Sequence, residues 1–199
     1  MFYEPARRNH GLPHNPLKAI VAPRPIGWIS TLSEDGVANL APYSFFNLVS
    51  EGPDIVMFSS DGLKDTVRNA MATGEFVCNL ATYALIEQVN LTSKPIPPDE
   101  SEFELAGLER APSRVVKPPR VAAAPCALEC VWIETIDLKD RHGADTHRHL
   151  TFGEVVGVHI DESFVEDGLL RTEKLQALAR GGYFDFSWVD NLRSLPRPR

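Results

Sequence analysis

Long apolar runs, an excess of basic charge and paired cysteines are all missing from this 199-residue chain, and each lack removes a class of function. No apolar run approaches the roughly 18 residues that a membrane-spanning helix needs, so no membrane partner is expected. Lys and Arg number 20 against 27 Asp and Glu, a net charge of −7, whereas a nucleic-acid partner calls for a basic face. Met1 to His10 lack the apolar centre of a secretory leader. Cys78, Cys126 and Cys130 are odd in number and show neither metal-ligand spacing nor the C-x-x-C of a redox dithiol. They read as reduced thiols of a cytoplasmic protein.

What remains is an ordinary balance of 43% apolar and 24% charged residues, enough chain for one domain over 1–199. Residues 1–17 read as an irregular N-terminal arm. Residues 94–125 hold seven prolines (Pro95, Pro97, Pro98, Pro112, Pro118, Pro119 and Pro125). So long a segment without regular structure is uncommon in a compact domain. It reads as an excursion wrapped over a neighbour, because Phe103, Leu105, Leu108, Val115 and Val116 need burial.

The rest is strand-rich. Asp35-Gly36 between two runs of β-branched, aromatic and small residues predicts a hairpin from Ile26 to Leu40. Ile55 to Ser59 predicts a buried strand, and a helix is expected from about Gly62–Asp65 to Gly74, with Val67, Ala70 and Met71 on its apolar side. Phe76 to Leu80 is a further strand, and Thr82 is placed to cap a short helix through Leu85, Ile86 and Val89. Ala127–Glu134 and Leu150–Ile160 close the sheet, with a charged loop, 139–149, between them. A last short helix is expected through Leu175, Leu178 and Ala179. Strands at close intervals with few helices point to an antiparallel barrel.

Two stretches suit a ligand. Ser60, Lys64 and Thr66 lie where a strand feeds a helix start, whose free N–H groups and dipole favour an anion. Two hydroxyls and a cation there match a phosphomonoester, although a helix cap with a solvated lysine has the same appearance. Tyr43-Ser44-Phe45-Phe46-Asn47 offers a flat apolar wall with edge donors and acceptors, as a planar ring system such as FMN requires; a plain core strand with two aromatics is the alternative. Ser30 and Thr31, on the neighbouring strand, would reach a ribityl chain or phosphate. His142, His147 and His149, with Asp145, form a rival metal-binding cluster, but a charged, Gly-containing loop is ordinarily just solvated and no metal site is assigned.

The order of Arg24-Pro25-Ile26-Gly27-Trp28-Ile29-Ser30-Thr31, Asn39-Leu40-Ala41-Pro42-Tyr43-Ser44-Phe45-Phe46-Asn47 and Lys64-Asp65-Thr66 resembles the flavin reductase-like family of FMN-binding split barrels. The similarity continues through Gly74–Leu80, Asn90-Leu91-Thr92-Ser93, Pro118–Val121, Gly153–Val156 and Ala179-Arg180-Gly181-Gly182-Tyr183. The resemblance implies a mainly β, antiparallel Greek-key split barrel with a few short helices, and a homodimer with the flavin near the subunit interface. It also implies an oxidoreductase moving hydride from NADH or NADPH through FMN (or FAD) to an acceptor. By the same resemblance Ser30, Thr31, Ser60, Lys64 and Thr66 would hold the ribityl phosphate, and Tyr43, Ser44, Phe45, Phe46 and Asn47 would line the ring. Asn90 and Thr92 would reach the site, and Arg180 to Tyr183 would approach the nicotinamide or substrate side. No acid or base is required of the chain, because the flavin carries the chemistry, so no catalytic residue is assigned. A non-catalytic flavin-binding electron carrier is the alternative.

Overall fold

In the computed structural model, which describes residues 1–198, seven antiparallel strands form one curled sheet. They are β1 (Gly27–Leu32), β2 (Ala38–Tyr43), β3 (Phe46–Ser50), β4 (Ile55–Asp61), β5 (Glu75–Leu80), β6 (Cys126–Lys139) and β7 (Asp145–Ile160). Their spatial order is β2-β1-β5-β6-β7-β4-β3. The two edge strands, β2 and β3, are therefore consecutive in sequence, and only Ser44 and Phe45 separate them. The sheet curls until these edges approach, which gives the open Greek-key half-barrel of a split barrel.

The β1–β2 hairpin forms as expected. Ser33 N–H donates to Val37 O at 2.9 Å, and Gly36 supplies the left-handed φ of +83° that the turn requires. Helix α1 (Asp65–Thr73) stops at Gly74, whose φ is +75°. Its buried side is Thr66, Val67 and Ala70; Met71 is exposed, so Thr66 takes the inward place expected of Met71. Val67 and Ala70 pack with Ile29, Tyr43, Val56, Phe58 and Phe76 in the barrel interior. A second cluster lies on the other side of β1 and β2, where Trp28, Leu40, Val89, Phe103 and Val121 meet.

The structure departs from expectation in four places. Thr82 stands before a 3-10 turn (Tyr83–Leu85) that leads into α2 (Ile86–Leu91), yet its side chain makes no cap bond. The expected loop 139–149 is mostly ribbon: β6 runs to Lys139, β7 starts at Asp145, and only residues 140–144 turn. Charged residues that alternate on an exposed two-stranded ribbon look like a loop in sequence because neither face is apolar. The last helix is one turn, Thr172–Leu175. Gln176 then turns left-handed at φ +46°, and Leu178–Arg180 becomes a strand between Arg24–Pro25 and Phe186–Trp188.

The proline-rich excursion folds onto its own sheet. It contains the short helix α3 (Glu102–Leu105) and a small ribbon of Arg110–Ala111 with Arg120–Val121. Phe103, Val116 and Val121 are buried, whereas Leu105 and Val115 stay exposed. Buried polar groups anchor it. The Glu129 carboxylate, fully enclosed on β6, accepts the backbone N–H groups of Arg114 (2.7 Å), Val115 (2.6 Å) and Val116 (2.9 Å) and contacts His159 Nε2. Burial opposes its charge, but these four donors prevail and hold its pKa at about 2.

Candidate functional site

A cavity of about 580 Å³ opens where β2 ends, β4 ends and α1 begins. Its size lies within the range of small-molecule and cofactor sites. Ala41 to Phe45 form one wall, and Ser59, Lys64, Asp65 and Thr66 form another. Lys18 from the N-terminal arm, Lys94–Ile96 from the excursion and Arg148 from β7 complete it. Five segments distant in sequence thus converge on one space.

The charges there are unequal. Lys18, Lys64, Arg68, Lys94 and Arg148 face three carboxylates, Asp61, Asp65 and Glu102. Asp61 is paired with Arg148 at 3.0 Å, and Asp65 with Arg68. Glu102 is used inside the protein: it accepts Leu40 N–H at 2.9 Å and both of its oxygens receive Asn39 Nδ2 at 3.0 Å. Burial raises its pKa, with the donors from Leu40 and Asn39 pulling the other way. Among the described residues Lys18, Lys64 and Lys94 have no ion-pair partner. The cavity therefore carries surplus positive charge in a chain whose total is negative, beside the unfilled N–H groups of the first turn of α1.

Asn39 links the excursion to α1. Its Oδ1 accepts the Thr66 hydroxyl at 2.7 Å while its amide is held by Glu102, so the start of α1 is tied to β2 through one side chain. The Tyr43 hydroxyl is buried and has no hydrogen-bond partner. Burial raises its pKa, and the nearby Thr66 and Ser60 hydroxyls act in the opposite direction. The hydroxyl lies behind the cavity surface, beside the buried Thr66 and Ser60. A flat ring against Phe45 and Tyr43, with an anionic group toward Lys64 and the α1 N-terminus, fits these donors.

Tyr43, Ser44, Phe45, Lys64 and Thr66 line this cavity, and Asn90 lines a smaller one beside it. Ser30, Thr31, Phe46, Asn47 and Ser60 line neither. Ser30 is fully buried, donates to Pro119 O at 2.5 Å and accepts from Asn79 at 3.1 Å, which binds the excursion to β1. Thr31 is engaged by Asn69 at 3.1 Å. Phe46 packs onto Gly27 in the barrel interior, Asn47 points outward and accepts Leu48 N–H, and Ser60 donates to Gly62 O at 2.8 Å. Ser59 occupies the wall in place of Ser60. The alternation on β4 could have shown this: Val56, Phe58 and Ser60 are buried and Met57 and Ser59 are not, so the inward Phe58 forces Ser60 inward. Thr92 lines the cavity, but its hydroxyl already serves Trp28 Nε1 at 2.9 Å. Lys18, Asn39, Lys94, Glu102 and Arg148 carried no local signal in sequence, because only the tertiary fold brings them here.

The three loop histidines do not converge. His142 is held by Arg141, His147 by Asp145 and His149 by Asp137, and no group of three metal-binding side chains forms among the described residues.

Residues 21–179 match the model of the flavin reductase like domain. The chain belongs to the flavin reductase-like family. It is 37% identical over 169 residues to a protein of Aquifex aeolicus, with 82% of this chain and 83% of that one covered. The structure superposes on nitrilotriacetate monooxygenase component B from Bacillus cereus with a TM-score of 0.89 at 30% identity, covering 98% of each chain. It matches the 2-nitrobenzoate 2-nitroreductase NbaA of Pseudomonas fluorescens with a TM-score of 0.86 at 26% identity, covering 100% and 96%. A split-barrel protein from Shewanella frigidimarina, at 23% identity and a TM-score of 0.81 over 98% and 94% of the chains, shares the fold.

Proposed function

We propose that this protein is an FMN-dependent oxidoreductase of the flavin reductase type, taking hydride from NADH or NADPH and delivering electrons to a further acceptor. The observation that carries the reading is the convergence of Tyr43–Phe45 with Lys64 and Thr66 on one positively charged cavity. In this reading Lys64 and the first turn of α1 hold the phosphate, and Thr66, buried and donating to Asn39, braces the start of that helix. Tyr43 and Phe45 give the ring its apolar wall. Bound there, the cofactor supplies the hydride and electron transfer; the chain binds it, orients it and excludes water. FAD would have to place its adenine half outside the cavity.

The family and the two enzymes above 25% identity support the activity class. A homodimer is part of the proposal. Ile133, Ile136 and Leu138 on β6, Val156 and Val158 on β7 and Leu48 and Val49 on β3 are large apolar side chains left exposed by a single chain, and a partner subunit would cover such surface. Buried or half-buried free thiols suit a cytoplasmic setting.

The deciding experiment is an anaerobic absorbance spectrum of the purified protein, supplemented with FMN, before and after NADH or NADPH. A flavin spectrum that bleaches faster than free FMN is expected. Protein that takes up neither FMN nor FAD removes the reading. Flavin that binds but is reduced no faster than free flavin identifies an electron carrier instead.

A further inference from the structure

A further cavity of about 290 Å³ lies between the β1–β2 turn, α1 and the excursion. Asn39, Asp65, Arg68 and Glu102 belong both to its wall and to that of the larger cavity, so these four side chains form the partition between the two spaces. Asp65 and Arg68 pair with each other. Glu102 is different. It is 6% exposed, and among the described residues it has no ion-pair partner. A buried carboxylate held only by neutral donors is costly, and here it stands in the wall of a cavity suited to an anion.

An ionised carboxylate only accepts hydrogen bonds, so Glu102 fixes the direction of the bonds that follow it. Asn39 must turn its Nδ2 donor to Glu102, 3.0 Å from each oxygen, which leaves Oδ1 facing α1. Oδ1 can only accept, and the Thr66 hydroxyl donates to it at 2.7 Å. Thr66 is the second residue of α1 and is fully buried, so its hydrogen is committed to Asn39 and not to a ligand. On the other side of the helix Asn69 donates to Thr31 at 3.1 Å. The charged neighbours of Glu102 are Asp65 and Arg68 on α1, Lys64 at its cap, and Lys94 and Glu100 on the excursion. Arg110 holds the adjoining Ser101 and Glu104, and Tyr43 on β2 feels the Glu102 charge. Burial raises the Glu102 pKa, the donors from Leu40 and Asn39 lower it, and Asp65 adds a smaller rise.

We infer that Glu102 is a positioning residue for the phosphate: its ionised carboxylate orients Asn39, and Asn39 holds Thr66 and the first turn of α1 where the anion is received. This rests on the reading of the larger cavity as the flavin seat. A proton on Glu102 replaces an acceptor by a donor that faces Asn39 Nδ2 or Leu40 N–H. Asn39 is then free to rotate, the Thr66 hydroxyl loses its acceptor, the first turn loosens and phosphate affinity falls. Charge alone predicts the reverse, because a carboxylate in the wall of the same cavity repels a phosphate. The two effects have opposite signs, so the role of Glu102 is decidable by experiment.

The test is fluorescence titration of the full chain with FMN and with riboflavin between about pH 5 and pH 8, on the wild type, Glu102→Gln, Thr66→Val and the double variant. At the upper pH, Glu102→Gln should weaken FMN binding about tenfold and leave riboflavin binding little changed. On acidification the wild-type FMN affinity should fall more steeply than that of Glu102→Gln; the comparison cancels the titration of the phosphate itself, at about pH 6. Thr66→Val should reproduce the loss, and the double variant should lose no more than the larger single loss, because both act through Asn39. Tighter FMN binding by Glu102→Gln, equal losses for FMN and riboflavin, or additive losses in the double variant overturn the proposal. Should Glu102→Gln not fold, FMN affinity unchanged by Thr66→Val overturns it. Wild-type protein that binds neither ligand removes the flavin reading instead, and hydrogen exchange of the Arg68 amide, bonded to Lys64 O at 3.0 Å, then decides. Thr66→Val should speed that exchange several-fold, and unchanged exchange overturns the positioning role.

Discussion

The ring of Phe46 occupies the space where a side chain on Gly27 would begin: a Cβ there would lie 2.5 Å from Phe46 Cδ2. Gly27 starts β1 and Phe46 starts β3, two strands that are not hydrogen-bonded neighbours. This contact spans the gap in the curled sheet and stands directly behind the Tyr43–Phe45 wall of the cavity.

Gly27→Ala should therefore force Phe46 outward and lower stability by about 1–3 kcal/mol. Denaturant unfolding measures this. A double variant, Gly27→Ala with Phe46→Leu, should recover part of the loss if the clash is its cause.

Lys64→Ala should weaken FMN binding by one to two orders of magnitude, as loss of a charge-assisted contact implies, while riboflavin affinity changes little. Fluorescence titration with both ligands provides the comparison. Equal losses would place Lys64 away from the phosphate.

Tyr43→Phe removes a buried hydroxyl that has no partner in the chain alone. The ligand-free protein should be unchanged or stabilised by up to about 1 kcal/mol, and flavin affinity should change little, because the hydroxyl lies behind the cavity surface. Thermal melts with and without FMN separate the two effects.

Glu129 sets an acid limit. Its folded pKa of about 2 lies below the ordinary 4.5, so its contribution is fully present above about pH 5 and is lost as the pH falls through 4.5 toward 2. Glu129→Gln should remove that part of the pH dependence and destabilise the protein at neutral pH by about 1–3 kcal/mol, because an amide cannot accept all of the N–H groups that the carboxylate does. Melting temperatures between about pH 2 and pH 7 test both statements.

Light scattering on the flavin-loaded protein should give the mass of a dimer. A monomer mass would mean that the exposed apolar residues of β6 and β7 face water.

Local chemistry made much of this fold legible. Asp35-Gly36 marked the hairpin, Gly74 marked the end of α1, and the β-branched runs marked the strands. The candidate site was legible where neighbouring residues share a wall, as Tyr43–Phe45 and Lys64–Thr66 do. It was not legible where the side chain's direction decides. Ser30, Thr31 and Ser60 are of the right type for a phosphate, but Ser30 and Thr31 point to opposite faces of β1, both of them covered, and Ser60 follows the inward Phe58, so Pro119, Asn69 and Gly62 engage them. Lys18, Glu102 and Arg148 come from segments whose path only long-range packing determines.

The guanidinium of Arg24 joins Lys18 O to Gly181 O, carbonyls from segments far apart in the chain. The arm bearing Lys18 is thereby latched to the strand that carries Arg180, so loosening the segment around Gly181 should loosen the arm and the cavity wall that Lys18 supplies.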